Sequence, residues 1–339
     1  MEEIMQEYTH HNVNDLDAFA GLHTEKRAIR LANGDKPGKF INGFYALVND
    51  SGEPLPTRPV PRSYKLVPHL DMFRIQAAQL QESNLPTQNV TITDRVYDGG
   101  LRATREIHFD DLRLDMPVGD GRLQDDQTAR MDTINSIDQS WAFQAFAGAY
   151  RAYCRNQQVF GGQKLYHARR KHTRNLSPES ITANSIIGLD TFANNRDYFR
   201  RMTNVKMTSD QFGQIISRTL AFKKGRASDI ILADDELTLA DKRKATINQG
   251  LLSQMIYRFE NESNDLGSTA WAGYNALTAW ATHVEENALW YCHDKNQWRT
   301  QKARTSDPNR VPHVRMQRQQ KVRDVLDSHH WQNHMLAAA

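Results

Sequence analysis

Residues 89–109, NVTITDRVYDGGLRATREIHF, hold two runs rich in β-branched and aromatic residues, joined at Asp98-Gly99-Gly100. Alternating polarity on both sides of a Gly-rich turn predicts a β-hairpin. Successive strand side chains point to opposite faces, so Arg102, Thr104 and Glu106 share one face and Arg105 takes the other. Further on, TARMDTINSID (128–138) and SWAFQAFAGAY (140–150) repeat the period near two, with a turn at Ile137 to Ser140. Between these pairs DDLRLDMPVGDGRLQDD (110–126) reads as an acidic loop.

Upstream, FINGFYALV (40–48) is a strand ended by the turn composition NDSGEP, and PLPTRPVP (54–61), with four prolines, is an extended connector. PHLDMFRIQAAQLQES (68–83) sets Leu70, Phe73, Ala77 and Leu80 on one helical stripe. NDLDAFAGLHTEKRAIRLA (14–32) shows similar spacing through Leu16, Phe19, Ala20, Leu22 and Ile29. It predicts an N-terminal amphipathic helix, followed by the Gly/Pro-punctuated loop NGDKPGK (33–39).

The character changes after residue 176. Ser177 is a plausible N-cap with Pro178 at the first helical position, although Ser180 leaves the capping box incomplete. DQFGQIISRTLAF, LADKRKATINQGLLSQMIYRFENE, STAWAGYNALTAWATHVEENALWY and NRVPHVRMQRQQKVRDVLDSHHW all read as helices. Trp271, Tyr274, Leu277 and Trp280 share a helical face, expected to pack on the strand-rich half. The fold class is therefore expected to be α+β: a strand-rich N-terminal half with hairpins and a helical C-terminal half. The expected divisions are 1–35 (N-terminal helix and loop), 36–175 (strand-rich core with a basic segment) and 176–339 (helical region).

A chain of 339 residues with net charge +3 can bury a substantial core. Mean hydropathy is −0.70, and no segment approaches the run of about 18–20 apolar residues that spans a bilayer. The polar, acidic N-terminus does not resemble a secretory signal. Two cysteines, Cys154 and Cys292, form no CxxC pair and fit a reducing cytoplasm, not a disulfide framework. The expected location is cytoplasmic, and no membrane partner is expected.

Motifs with defined chemistry are few. Gly161-Gly162-Gln163-Lys164 lacks the spacing of a phosphate-binding Walker loop, and GxGxxG, GxSxG and HExxH are absent. His283, Cys292 and His293, or His329, His330 and His334, offer zinc-ligand chemistry without a recognised spacing. Asp234, Asp235 and Glu236 suit a helix start as well as a magnesium site. No catalytic residue, metal or cofactor is assigned.

The main chemical signal is RAYCRNQQVFGGQKLYHARRKHTRN (151–175), with seven Lys or Arg, two His and no carboxylate. A solvated face interleaves the two signs, whereas an unmixed run calls for a partner with its own negative charge. Arg151, Arg155, Lys164, Arg169, Arg170, Lys171 and Arg174 are candidates to hold phosphates. Tyr153 and Tyr166 are candidates to stack on bases, and Phe160 is as consistent with core packing. Acids gather around 98–126 and 229–241, so the surface is dipolar and suited to head-to-tail contact between subunits.

NSIDQSWAFQAFAGAYRAYCRNQQVFGG, HARRKHTRN, SYKLVPHLDMF and STAWAGYNALTAWATH together resemble a family of phage/plasmid-like proteins described as a domain of unknown function. The likeness covers roughly residues 60–290. The family's Asp-Gly-Ser-like turn corresponds to Asp138-Gln139-Ser140, its Arg-x-x-Cys-x-Asn segment to Arg151, Cys154 and Asn156, and its basic strand to His167–Arg174. Gln139 stands where glycine is usual, and Arg155 where a small polar residue is. The resemblance implies a mobile-element origin. By architecture alone, strands followed by helices with a basic groove are similar to phage single-strand annealing recombinases.

The function expected is single-stranded DNA binding and annealing by a homo-oligomer, in recombination or replication, without a cofactor. The alternatives are a nucleic-acid-processing enzyme such as a nuclease, and a phage structural or anti-defence interaction protein.

Overall fold

A computed structural model describes residues 5–33, 36–118, 123–151, 156–159, 167–190, 196–221, 239–292, 297–303, 305, 307 and 310–337. The fold class is α+β, with antiparallel sheets in the N-terminal half and helices in the C-terminal half. The chain forms two compact units, each built from separated segments. The first comprises 1–112, 129–147 and 164–191, and the second 113–128, 148–163 and 192–339. These units interleave, so they cut across the sequence division at residue 175.

In the first unit the strands are β1 (Gln6–His10), β2 (Glu25–Asn33), β3 (Lys36–Val48), β4 (Val60–Pro61) and β5 (Val90–Tyr97). There follow β6 (Arg102–Val118), β7 (Leu123–Ser136), β8 (Phe143–Arg151) and β10 (His167–Arg170), whereas β9 (Asn156–Val159) and the parts of β6, β7 and β8 at 113–118, 123–128 and 148–151 belong to the second unit. The main sheet has the order β1-β5-β6-β7-β8-β10, with β9 pairing the outer part of β8. β2, β3 and β4 make a second sheet.

The hairpin at 89–109 forms as its pattern predicts: β5 and β6 pair in register from Val90↔Phe109 to Tyr97↔Arg102. Gly99 and Gly100 both have positive φ in the turn, which glycine adopts without steric cost. Helix α1 (His69–Glu82) buries Met72, Phe73, Gln76, Ala77 and Leu80, and the Gln76 side chain donates to Thr133 Oγ1 at 2.8 Å. From Ala129 to Ile137 every residue save the 9 % exposed Asp132 lies at or below 2 % exposure. Such continuous burial marks a strand covered on both faces, not one with a wet face.

Arg105, on the face opposite Thr104 and Glu106, is fully buried. Its guanidinium forms a fork on Asp94, with Nε–Oδ1 at 2.8 Å and Nη2–Oδ2 at 2.7 Å, and donates through Nη1 to the Val13 carbonyl. It lies over the rings of Phe19 and Phe73, which stack at 4.4 Å. A buried ion pair is tolerated only with this degree of hydrogen bonding. It fixes the N-terminal segment to the sheet.

Helix α2 (Pro178–Asp190) starts as expected, with Ser177 Oγ accepting from Ser180 N at 3.2 Å. The second unit contains α3 (Arg196–Asn204), α4 (Ser209–Ile216) running into a π turn at Ser217–Ala221, α5 (Leu239–Leu266) and α6 (Ala270–Thr282). A hairpin of β11 (Ala288–Cys292) and β12 (Gln297–Gln301) precedes α7 (Val311–Leu326) and α8 (His329–Ala337). All thirteen residues of α6 are buried, and the helix meets α3, α5, α7 and β9. A Cβ at Gly273 would sit 3.0 Å from Met207 Sδ and 3.1 Å from Phe212 Cδ2, so glycine is what permits this approach.

Four sequence expectations differ from the structure. Residues 14–32 are not a helix: a 3-10 turn at Asp17–Phe19 leads into β2, because Glu25–Val48 and Lys26–Leu47 pair across a sheet that local periodicity does not encode. The acidic segment 110–126 lies within β6 and β7 over its described residues, and Leu114 is buried. ALWY (288–291) is a strand, not the end of α6. Of the loop expected at 33–39, residues 36–39 belong to β3. In the expected stripe of α6, Trp271 and Tyr274 meet Phe199 ring on ring, and the helix also meets the strand β9.

Candidate nucleic-acid interface

The stretch SYKLVPHL runs from the second sheet toward α1, and its residues build the wall of a cleft in the first unit. Tyr64 is buried, stacks on His172 at 5.3 Å and donates its hydroxyl to the Ile137 carbonyl at 3.0 Å. Lys65 and His172 exchange two bonds: Lys65 N–H to the His172 carbonyl at 3.1 Å, and His172 Nδ1 to the Lys65 carbonyl at 3.2 Å. These contacts and the Tyr64–Thr173 bridge carry the chain end of β10 onto the cleft. Burial pushes the Tyr64 hydroxyl above its usual range, with the Asp138 charge adding to it, so Tyr64 stays a neutral donor.

The cleft has a volume of about 920 Å³ and is lined by Lys26, Arg62, Lys65 and Arg174, with Glu25 the one acid. Lys26 donates to the Tyr64 carbonyl and lies over the rings of Tyr45 and Tyr64; burial lowers its pKa. Lys65 Nζ donates to the Leu176 carbonyl at 2.7 Å. Glu25 is engaged by Arg27 at 2.7 Å. Four cations thus face one carboxylate that already has a partner.

Charge pairing divides the unit. Arg74, Arg95, Arg102, Arg105 and Arg130 all hold carboxylates. Arg62, Arg169, Arg170, Lys171 and Arg174 are exposed and make no ion pair among the described residues. β10 ends the strand order of the main sheet, and the chain passes from its exposed Arg169 and Arg170 to Arg174 in the cleft. On the other side, β3 exposes Phe40 at 52 % and Phe44 at 48 %. The Arg30 guanidinium lies 4.0 Å from the Phe40 ring centroid, and the Gly43 carbonyl accepts from Arg62 N–H at 2.9 Å.

Of the sequence candidates, Arg169, Arg170, Lys171 and Arg174 come together at this surface. Tyr153, Arg155, Phe160, Lys164 and Tyr166 lie outside the described residues, as does the side chain of Arg151, whose backbone ends β8. Lys26, Arg62 and Lys65 were missed as candidates. Lys65 sits inside SYKLVPHLDMF and Arg62 directly follows the proline connector, but nothing local marks either as a neighbour of Arg174.

Of the metal candidates, His283 Nδ1 binds Glu286 at 2.8 Å and His334 Nε2 donates to the Lys206 carbonyl, while Asp234, Asp235, Glu236 and His293 lie outside the described residues. Among the described residues no group of three or more His, Cys, Asp or Glu is placed to hold a metal ion, and no helix is long and apolar enough to cross a membrane.

The Asp138-Gln139-Ser140 turn lies behind Tyr64. Asp138 Oδ1 accepts from Ser140 N–H at 3.0 Å, and Arg102 reaches Asp98 at 2.6 Å and Asp138 at 3.0 Å, tying two turns together. No curated protein and no solved structure matches the chain. The family model described as Domain of unknown function (DUF932) matches residues 60–326, which include the SYKLVPHL wall, this turn and the Arg169–Arg174 segment, and the chain therefore belongs to that family.

Proposed function

We propose that the protein binds single-stranded DNA along the cleft and the β10 edge, and promotes annealing as a homo-oligomer in the recombination or replication of a phage or other mobile element. The observation that carries this reading is the concentration of unpaired cations at Arg62, Arg169, Arg170, Lys171 and Arg174, beside Lys26 and Lys65. Cations left without carboxylates suit a phosphate backbone, whose neutralisation releases counterions. Exposed Phe40 and Phe44 offer faces for stacking, which tolerates any base and suits annealing. The similarity to annealing recombinases adds an analogy of architecture only. The working compartment in this reading is the host cytoplasm, and the chemistry asks for no cofactor.

Competition between single-stranded and duplex DNA tests it. A labelled single strand should be displaced by unlabelled single strand and resist duplex at equal nucleotide concentration, because a duplex hides its base faces. Displacement by duplex, or no binding of either, removes the reading. Light scattering should show assemblies larger than a monomer with oligonucleotide present.

A further inference from the structure

A small cavity in the second unit has a different chemistry from the open cleft. It encloses about 40 Å³ between α5, the end of α6, the β11–β12 hairpin and α7, and its polar lining is Gln254, Arg258, His283, Glu286, Lys302 and Arg318. A single water occupies about 10–15 Å³ on this measure, so the space fits a group of about three waters' size, that of a tetrahedral oxyanion.

Three cations line it, and Glu286, the one carboxylate among its described lining residues, binds His283 Nδ1 at 2.8 Å. Arg258 makes no hydrogen bond or ion pair with any described residue, and its Nε is buried without a partner. Burial lowers the Arg258 pKa, with Glu286 and Glu262 opposing from longer range. Arg318 is fixed in place, since Nη1 donates to the Trp280 carbonyl at 2.6 Å and the guanidinium lies 4.7 Å from the Trp280 ring centroid. Lys302 is exposed at the rim and has no ion pair among the described residues. A buried guanidinium N–H without a partner is costly, and a bound anion that accepts from it removes that cost.

We propose that this cavity is an oxyanion site that takes a phosphate group, either inorganic phosphate or the terminal phosphate of a small monoester. Arg258 presents a planar donor suited to phosphate oxygens, Arg318 adds a fixed positive charge and Lys302 supplies a point charge at the entrance. The site is separate from the proposed DNA surface and does not depend on it.

Calorimetric titration of the full chain with inorganic phosphate, and separately with a nucleoside 5′-monophosphate, tests the assignment. Saturable binding is expected, weakened about tenfold or more in Arg258→Gln and about tenfold in Lys302→Gln, the loss of one charge-assisted hydrogen bond. Equal affinity for the two probes assigns free phosphate, and tighter binding of the monophosphate assigns an ester. Absence of saturable binding by both probes overturns the proposal, as does unchanged affinity in the variants. Should Arg258→Gln fail to fold by circular dichroism, the rim variant Lys302→Gln decides.

Discussion

Gln139 has φ +65° in the Asp138-Gln139-Ser140 turn, a left-handed conformation that its Cβ makes unfavourable. Glycine, the residue that the family resemblance leads one to expect there, adopts this conformation without steric cost. Gln139 is exposed and lends no side-chain bond to the turn, which Asp138 and Ser140 close between themselves. Gln139→Gly should therefore stabilise the protein by about 0.5–1 kcal/mol, the relieved strain exceeding the added freedom of the unfolded chain. Urea denaturation that finds the variant less stable would contradict this. His69 offers a second test. It is fully buried, with Nε2 donating to the Gly100 carbonyl at 3.0 Å and Nδ1 accepting from Asn135 Nδ2 at 3.1 Å. Burial lowers its pKa to about 4, and a proton on Nδ1 would face the Asn135 amide donor. The unfolded chain takes up this proton near pH 6.5, so the stability from neutral His69 is complete above that value and is lost as pH falls toward 4. The stability gap between wild type and His69→Gln should shrink by about 2 kcal/mol from pH 7 to pH 5. A gap independent of pH would exclude this protonation as its source.

At the scale of elements, α6 shows how a periodic stripe can be real on a helix that is buried on every side. Spacing places Trp271, Tyr274, Leu277 and Trp280 together, but Ala270, Ala272, Ala276 and Ala281 are equally buried, so the helix has no wet face. Small residues on the remaining sides let α3, α5 and α7 approach closely. Trp280→Ala removes a ring at 4 % exposure that also carries Arg318. It should cost roughly 3–5 kcal/mol and lower the melting temperature, while leaving DNA affinity per folded molecule unchanged. A stable variant that has lost DNA binding would instead make Trp280 part of a binding surface.

Across the whole molecule, net charge is small because 43 Lys and Arg nearly balance 40 Asp and Glu, and the cations without an ion pair among the described residues are those available to a polyanion. If Arg62, Lys65, Arg169, Arg170, Lys171 and Arg174 each neutralise one phosphate, log affinity should fall with log salt at a slope of roughly −4. Between about 50 and 200 mM salt that is a loss on the order of 300-fold. Replacing Arg169, Arg170 and Lys171 together by Ala should flatten the slope by about 2. All three are exposed, so folding should survive, as circular dichroism can verify. A folded triple variant with wild-type affinity and slope would remove the β10 segment from the interface.

The sequence by itself determined what depends on neighbours along the chain. The 89–109 hairpin, α1, the Ser177 start of α2 and the long C-terminal helices follow from period, turn chemistry and capping, each complete within some twenty residues. It also marked Arg169–Arg174 as a run without acids. Only the tertiary structure decided the rest. Residues 25–33 carry a spacing that fits a helix, and become a strand because β3 pairs with them. Residues 110–118, acidic at Asp110, Asp111 and Asp115, extend β6 because they pair with a neighbouring strand that local composition does not record. The cleft joins Lys26, Arg62, Lys65 and Arg174 from three separated segments, through bonds such as Lys65 to His172 that span more than a hundred residues. Periodicity records which face of an element is apolar, and it carries no record of which distant element that face, or its edge, will meet.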